Sequence, residues 1–303
     1  MDRHAGGVTG HPTLEATAIL AALGVTSVAA IAPVGGGTDA AIWRVEHDGL
    51  TSALRVFRPE QAEACRREVQ ALIAAGQAGV IVPEVRAAGA WRNRPAQLLS
   101  WCPGVPLWEA IRRWPWRVWA LGLAFGRAQA QIHRITAAPQ LADLQRDWIA
   151  WAGPADEQLR TALERLSHPT PALLHLDYHP LNVLSDGHQI TAVLDWVNAA
   201  VGDPRADLAR TYTILRVEPL TPGRQPPPLT FIRRLLCWSW QRGYRQIAGA
   251  PSDMAWFYVW AGAVMARDLG PRVGDPNSWW QPRHLAHVQQ WTAARRRRAE
   301  RAA

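Results

Sequence analysis

His175, Asp177 and Asn182 stand in the order H-x-D-x-x-x-x-N within LLHLDYHPLNVL, and Asp195 follows near the tip of ITAVLDW. Side chains of these types at this spacing serve phosphoryl transfer. An aspartate accepts the proton of an attacking hydroxyl, or orients that hydroxyl. An asparagine a few residues on offers Mg2+ a neutral oxygen and adds no charge. A second carboxylate then ties the metal to phosphate oxygens. An acidic residue at the tip of an apolar strand lies at a cleft rather than in the core. Taken singly, Asp177 would serve as a cap or an Asx-turn residue, and Asn182 would be unremarkable. The three together, at these separations, form one candidate site.

Such a site needs elements to position it. Thr13 can cap a helix running to Leu23, with Glu15 in its first turn and Gly24 stopping it; residues 1–12 before it have no periodicity. The period then changes from helical to alternating. VAAIAPV, AAIWRVEH and TSALRVF predict three strands, the last two closed by the hairpin pair Asp48-Gly49. Pro59 suits the first turn of a helix whose stripe is Cys65, Val69, Leu72 and Ile73, ending at Gly76 and Gly79. Two strands are expected next, over 82–88 and 96–101. After Pro103-Gly104 the chain turns helical. Leu121, Phe125, Ala128, Ile132 and Ile135 mark one long helix, and another is expected over 143–166. Two short strands, LLHL and ITAVLDW, flank a turn at Asp186-Gly187, and helices fill 206–303 around the loop TPGRQPPPLT. The fold class is α+β in two lobes: residues 1–102 with a small antiparallel sheet, and residues 103–303, mostly helical.

Composition narrows the function. The chain has 303 residues, 48% of them hydrophobic, enough for a substantial core. All 33 basic residues are arginine. That excludes a P-loop lysine and Schiff-base chemistry. The net charge of +8 raises nucleic-acid binding as a possibility, but the arginines are dispersed apart from Arg295–Arg298, a run that suits a solvated helix end. Cys65, Cys102 and Cys237 match neither a metal spacing nor a disulfide framework, and point to a reducing compartment. No signal-peptide pattern opens the chain, and AWFYVWAGAVMA is too short to span a bilayer. The expected location is the cytoplasm. The seventeen tryptophans suit core or pocket walls better than base stacking.

HLDYHPLNVL and LDWVNAAVGDPRADLA together resemble the aminoglycoside phosphotransferase and choline kinase-like family, similar in fold to protein kinases, and the resemblance extends more weakly over nearly the whole chain. It implies ATP and Mg2+ as cofactors, Asp177 as the catalytic base, and Asn182 and Asp195 as metal ligands. Asp203 and Asp207 would support the loop and cap the next helix. Gly35, Gly36 and Gly37 would form the turn covering the phosphates. Arg55 stands where the family carries a phosphate-holding lysine or arginine, and Glu68 would pair with it. Ser100 and Trp101 would offer backbone groups to adenine. The family often has glycine where Leu176 and Leu181 stand here.

Only the short link 196–201 separates Asp195 from Gly202-Asp203-Pro204. A protein kinase needs a long activation segment there, so a small hydroxylated acceptor is expected. Aminoglycosides are polycations and want acidic walls, yet residues 211–303 carry fourteen arginines against five acidic residues. Asp143, Asp147, Asp156, Glu157 and Glu164 are the remaining candidates for such a wall. Trp238, Trp240, Trp256, Trp260, Trp279 and Trp280 could line an aromatic pocket, or pack the core. A nucleotide-binding regulator without catalysis and a basic nucleic-acid-binding protein are the alternative classes.

Overall fold

The computed structural model describes residues 12–35, 40–136, 139–153, 156–166, 170–217, 227–275 and 278–302. Residues 1–11, the Thr13 side chain, and Gly36 and Gly37 of the glycine turn lie outside the described parts.

Helix α1 (Pro12–Ala22) precedes five antiparallel strands: β1 (Val28–Val34), β2 (Ala40–His47), β3 (Leu50–Phe57), β4 (Val85–Trp91) and β5 (Arg94–Ser100), in sheet order β1-β2-β3-β5-β4. The β2–β3 hairpin closes on Asp48 and Gly49, both left-handed with φ of 49° and 73°. That is the backbone the Asp-Gly pair favours. The next hairpin closes on Arg92 and Asn93, with φ of 48° and 61°. It starts β4 three residues later than the sequence suggests. Pro83 has no N–H to give a ladder, and a two-residue turn without glycine leaves little signal.

Helix α2 (Ala62–Gln77) follows a 3-10 turn at Pro59–Gln61 and lies across the sheet. Its buried face is Cys65, Glu68, Ala71, Leu72, Ala74 and Ala75. Glu68 therefore shares the buried face of the helix with its apolar residues.

The second lobe begins with β6 (Val105–Pro106), α3 (Leu107–Arg113) and α4 (Val118–Ile132). A continuous helix over 143–166 does not form. Two 3-10 turns, Pro139–Leu144 and Ile149–Ala152, precede α5 (Glu157–Arg165). Gly153, at φ 113°, breaks the helical backbone, and Trp148 turns into the core against Phe257 and Trp260. Tertiary burial outweighs local helical propensity here.

The short strands β7 (Ala172–Leu174), β8 (Val183–Ser185), β9 (Ile190–Val193) and β10 (Ala200–Gly202) make two small sheets, β10-β7 and β6-β8-β9. LLHL and ITAVLDW thus supply strands that pair with different partners. Helices α6 (Pro204–Arg216), α7 (Pro227–Ala248), α8 (Ala255–Leu269) and α9 (Pro282–Ala302) complete the lobe. Helices α4 and α7 pack closely enough that a Cβ on Gly126 would lie 2.0 Å from the Trp240 carbonyl oxygen. Among the described residues, no helix is long and apolar enough to cross a membrane.

The tryptophans of the C-terminal lobe are largely core. Trp240 donates to Gln129 at 2.8 Å and Trp260 to the Trp148 carbonyl at 3.2 Å, so the indole N–H groups are satisfied inside. Trp238 is the exception and stays exposed. The run Arg295–Arg298 is only half solvated: Arg295 stacks on Tyr258 and Trp291, and Arg296 pairs with Asp156.

Candidate active site

The loop after β7 carries Asp177 on a dense scaffold. The His175 N–H donates to Asp207 Oδ2 at 3.2 Å and the Leu176 N–H to Asp207 Oδ1 at 2.7 Å. Asp207 sits in the first turn of α6 and also meets His133 Nε2 at 2.9 Å. His175 Nε2 donates to the Leu194 carbonyl at 2.9 Å, and its Nδ1 accepts the Asp177 N–H at 3.3 Å. One ring therefore ties the loop to the end of β9. Asp203 caps α6 through the Arg205 N–H at 2.9 Å.

The backbone pays for this placement with strain. Leu176 has φ of 60° and Asp195 of 62°, a region that non-glycine residues rarely adopt. Leu176 stands where a glycine is expected of the family, which accounts for that preference.

Asp177 Oδ2 lies 3.2 Å from Asn182 Nδ2 and 3.5 Å from His179 Nε2, while Oδ1 is 4.0 Å from Arg210 Nη2. Its side chain is 26% exposed. Burial pushes this carboxyl up, but His179 and Arg210 outweigh it and hold Asp177 well below the usual carboxylate range. Asn182 also donates to the Asp177 carbonyl at 3.1 Å, which turns its side-chain amide group toward Asp177. Its own backbone carbonyl accepts the Leu194 N–H at 2.7 Å, so Asn182 and Asp195 hang from adjacent strands.

Asp195 meets the first lobe. Arg55, on β3, pairs with Glu68 of α2 and reaches Asp195 Oδ1 at 3.4 Å. Glu68 further accepts from Gln97 and from the Trp196 N–H at 3.1 Å. Burial drives the Glu68 carboxyl up and Arg55 opposes it. The structure thus brings Arg55, Glu68, Asp195, Asn182 and Asp177 into one connected region.

Gly35 directly follows β1, and a Cβ there would meet nothing within 4 Å. Ser100 and Trp101 lie at the end of β5, but their N–H groups are already donated, to the Glu84 carbonyl at 2.9 Å and the Thr51 carbonyl at 3.1 Å. Any backbone group they offer a ligand is a carbonyl.

Several members were not legible beforehand. His179 lies inside the motif but had no assigned role. Arg210 stands three residues after Asp207, one helical turn on, and that spacing could have revealed it. Gln97 faces Arg55 only through the β3–β5 register, and His133 lies on a distant helix with no local signal. Among the acidic candidates, Asp147 and Glu164 pair with Arg160, Asp156 with Arg296, and Asp143 approaches Arg66 at 3.9 Å. They are neutralised rather than massed into a wall.

A sequence model described as the phosphotransferase enzyme family matches residues 30–245. No curated protein matches the chain. Among solved structures, it is similar to the amicoumacin kinase hAmiN in complex with AMP-PNP, Ca2+ and Ami: 14% identity, TM-score 0.69, 95% of this chain and 96% of that one covered. The aminoglycoside phosphotransferase APH(4)-Ia matches with 20% identity and TM-score 0.63, over 95% of this chain and 99% of its own. A thermostable mutant of it, in ternary complex with AMP-PNP and hygromycin B, matches with 18% identity and TM-score 0.59, over 92% and 97%. These likenesses show a bilobal, protein-kinase-like fold.

Proposed function

Because the chain belongs to the phosphotransferase enzyme family, we propose that it is a cytoplasmic kinase transferring the γ-phosphoryl group of ATP to a hydroxyl of a small molecule. The observation that carries this reading is the single hydrogen-bonded region joining Asp177 and Asn182 to Asp195, Arg55 and Glu68. Neighbours of the same fold were solved with AMP-PNP, which supports ATP as the donor. In this reading the nucleotide lies between residues 1–102 and 103–303, beside Gly35, with Ser100 and Trp101 at the adenine.

The side chains fit Mg2+. Asn182 uses its amide nitrogen on Asp177, which leaves its carbonyl oxygen for a cation, and Asp195 contributes a part-exposed carboxylate. Two hard oxygen donors, with phosphate and water completing the shell, suit this ion. When bound, it supplies charge neutralisation to the phosphates.

The remaining steps belong to the protein. Arg55 holds phosphate oxygens with a guanidinium fixed by Glu68. Asp177 Oδ2 is engaged by Asn182 and His179, so the looser Oδ1 receives the acceptor hydroxyl. The acceptor oxygen bonds to the γ-phosphorus, the bond to the bridging oxygen breaks, and ADP leaves. The hydroxyl proton passes to Asp177. A carboxylate held this low is a weak base, so it orients the hydroxyl and takes the proton late, when that proton has become acidic.

The test is transfer from radiolabelled ATP, with and without Mg2+, across a panel of hydroxylated compounds. Wild type is expected to label at least one acceptor, and Asp177→Asn to lose a factor of about 10² or more in kcat. Equal turnover by that variant sinks the assignment.

A further inference from the structure

Arg146 carries a buried Nη1 with no hydrogen-bond partner. Among the described residues, no hydrogen bond or ion pair involves its side chain, whose guanidinium lies over the Trp151 ring, 4.4 Å from the centroid. Arg267 stands over the same ring at 5.1 Å and donates to the Trp151 carbonyl at 2.6 Å. Arg67, from α2, donates its Nε to the Val197 carbonyl at 3.1 Å, two residues beyond Asp195. Burial, then repulsion from Arg67 and Arg267, lowers the Arg146 pKa to about 10. Three guanidiniums therefore share one place, where the second lobe meets α2.

The nearby carboxylates reach Arg67 and Arg267 but, among the described residues, leave the Arg146 guanidinium without an ion pair. Asp147 turns to Arg160 and to the Ala150 N–H, Glu63 is shared between Arg66 at 3.0 Å and Arg67 at 3.4 Å, and Asp268 is divided between Arg267 and Arg210. A buried donor without a partner costs about 1–3 kcal/mol, and like charges add to that. Such an arrangement is retained where a ligand completes it. The place is also correct for an acceptor. Asp177 leads to Arg210, Arg210 to Asp268, and Asp268 to Arg267.

We propose that Arg67, Arg146 and Arg267 form an anion subsite for the acceptor, so that the molecule phosphorylated carries a carboxylate or phosphate group besides its hydroxyl. This rests on the phosphotransferase reading and sharpens it: the acceptor is anionic, not a polycation. Trp151 provides the apolar floor, and Arg267, with 41% of its side chain exposed, is the open wall. Guanidinium groups favour bidentate pairing with either anion.

The test is calorimetric titration with inorganic phosphate, glycerol 3-phosphate, glycerol and choline. AMP-PNP and Mg2+ are present, so that the nucleotide phosphate site is filled. Both anions are expected to bind, glycerol and choline not, and Arg146→Gln and Arg267→Gln each to weaken the anions tenfold or more. AMP-PNP affinity should be unchanged in both variants. Absence of anion binding, equal binding of choline, or anion affinity unaltered in both variants overturns the proposal. Failure of the phosphotransferase reading shows separately, as absence of AMP-PNP binding. The anions are then titrated into the unliganded protein, with Arg55→Gln as the control for the phosphate site. The same outcomes decide.

Discussion

Asp207 Oδ1 accepts the N–H of Leu176 at 2.7 Å, holding a leucine at φ 60° beside Asp177, the base we propose. The left-handed backbone costs a non-glycine residue about 1–2 kcal/mol. The Leu176 side chain is 0% exposed and packs with Leu174, Phe257 and Trp260. Deleting such a side chain costs about 2–5 kcal/mol, so burial outweighs strain and explains a leucine in a glycine position. The expected order of stability is wild type, then Leu176→Gly, then Leu176→Ala, because alanine loses the packing and keeps the strain. Urea midpoints decide it; alanine above glycine would refute the strain argument.

Asp207 itself supports a pH prediction. Burial raises its carboxyl, but His133 outweighs this and leaves it below its ordinary value. A group with a depressed folded pKa contributes stability above its unfolded value, about 3.9, and loses it as pH falls through the folded one. Asp207→Asn is expected to cost about 2–4 kcal/mol at neutral pH, by setting an amide donor against His133 or a loop N–H. The variant should also show a flatter decline in stability between about pH 5 and pH 2. Thermal unfolding across that range, compared with wild type, is the measurement. An unchanged acid limb would remove Asp207 from this role.

The two halves of the site differed in how far they could be read. Asp177, Asn182 and Asp195 are local in sequence, and the short turns that hold them leave a fixed spacing. Arg55 and Glu68 could be paired because a strand followed by a helix brings them together. The clamp on Glu68 by Gln97 and Trp196 depends on strand register and lobe contact, which composition does not record. In the same way the expected helix over 143–166 ignored the pull of Trp148 into the core. That error hid Arg146, in the link between the two 3-10 turns, and Trp151, in the second of them. Periodicity reports what a segment prefers alone, and these residues are placed by what they pack against.

Arg55 and Glu68 form a buried pair between strand and helix, and removing one charge strands the other. Arg55→Met is expected to destabilise the fold by about 3–5 kcal/mol. Adding Glu68→Gln should recover at least half of that, since the orphaned carboxylate is the main penalty. ATP affinity should stay weak in the double variant, because the proposed phosphate contact is the guanidinium itself. Chemical denaturation and AMP-PNP titration separate the two effects, and no recovery in the double variant would show that the pair is not coupled.

Asp177 is held well below the usual carboxylate range by His179 and Arg210, against burial. It is therefore expected to stay ionised through the neutral range, so that its protonation does not limit turnover there. Activity is expected to lack an acid limb assignable to Asp177 down to about pH 5. Arg210→Met removes one of the charges that keep the carboxyl low, so an acid limb should move upward into the measurable range. The readout is kcat against pH for both proteins. An acid limb near pH 6 in wild type, unmoved in Arg210→Met, would assign it to another group.

Arg146 lets stability and function be set against each other. Its buried Nη1 has no partner, and Arg67 and Arg267 repel it. The favourable contact it has is the face of Trp151, worth about 0.5–2 kcal/mol. Removing an unsatisfied buried donor relieves about 1–3 kcal/mol, and methionine keeps the apolar contact with the ring. Arg146→Met is therefore expected to unfold at the same temperature as wild type or up to about 4 °C higher. Phosphate added at millimolar concentration should raise the melting temperature of wild type and leave the variant unmoved, because a ligand stabilises only the form that binds it. Differential scanning calorimetry reads both numbers in one experiment. A variant that melts well below wild type would mean that Arg146 is a structural residue, held by contacts stronger than its geometry shows.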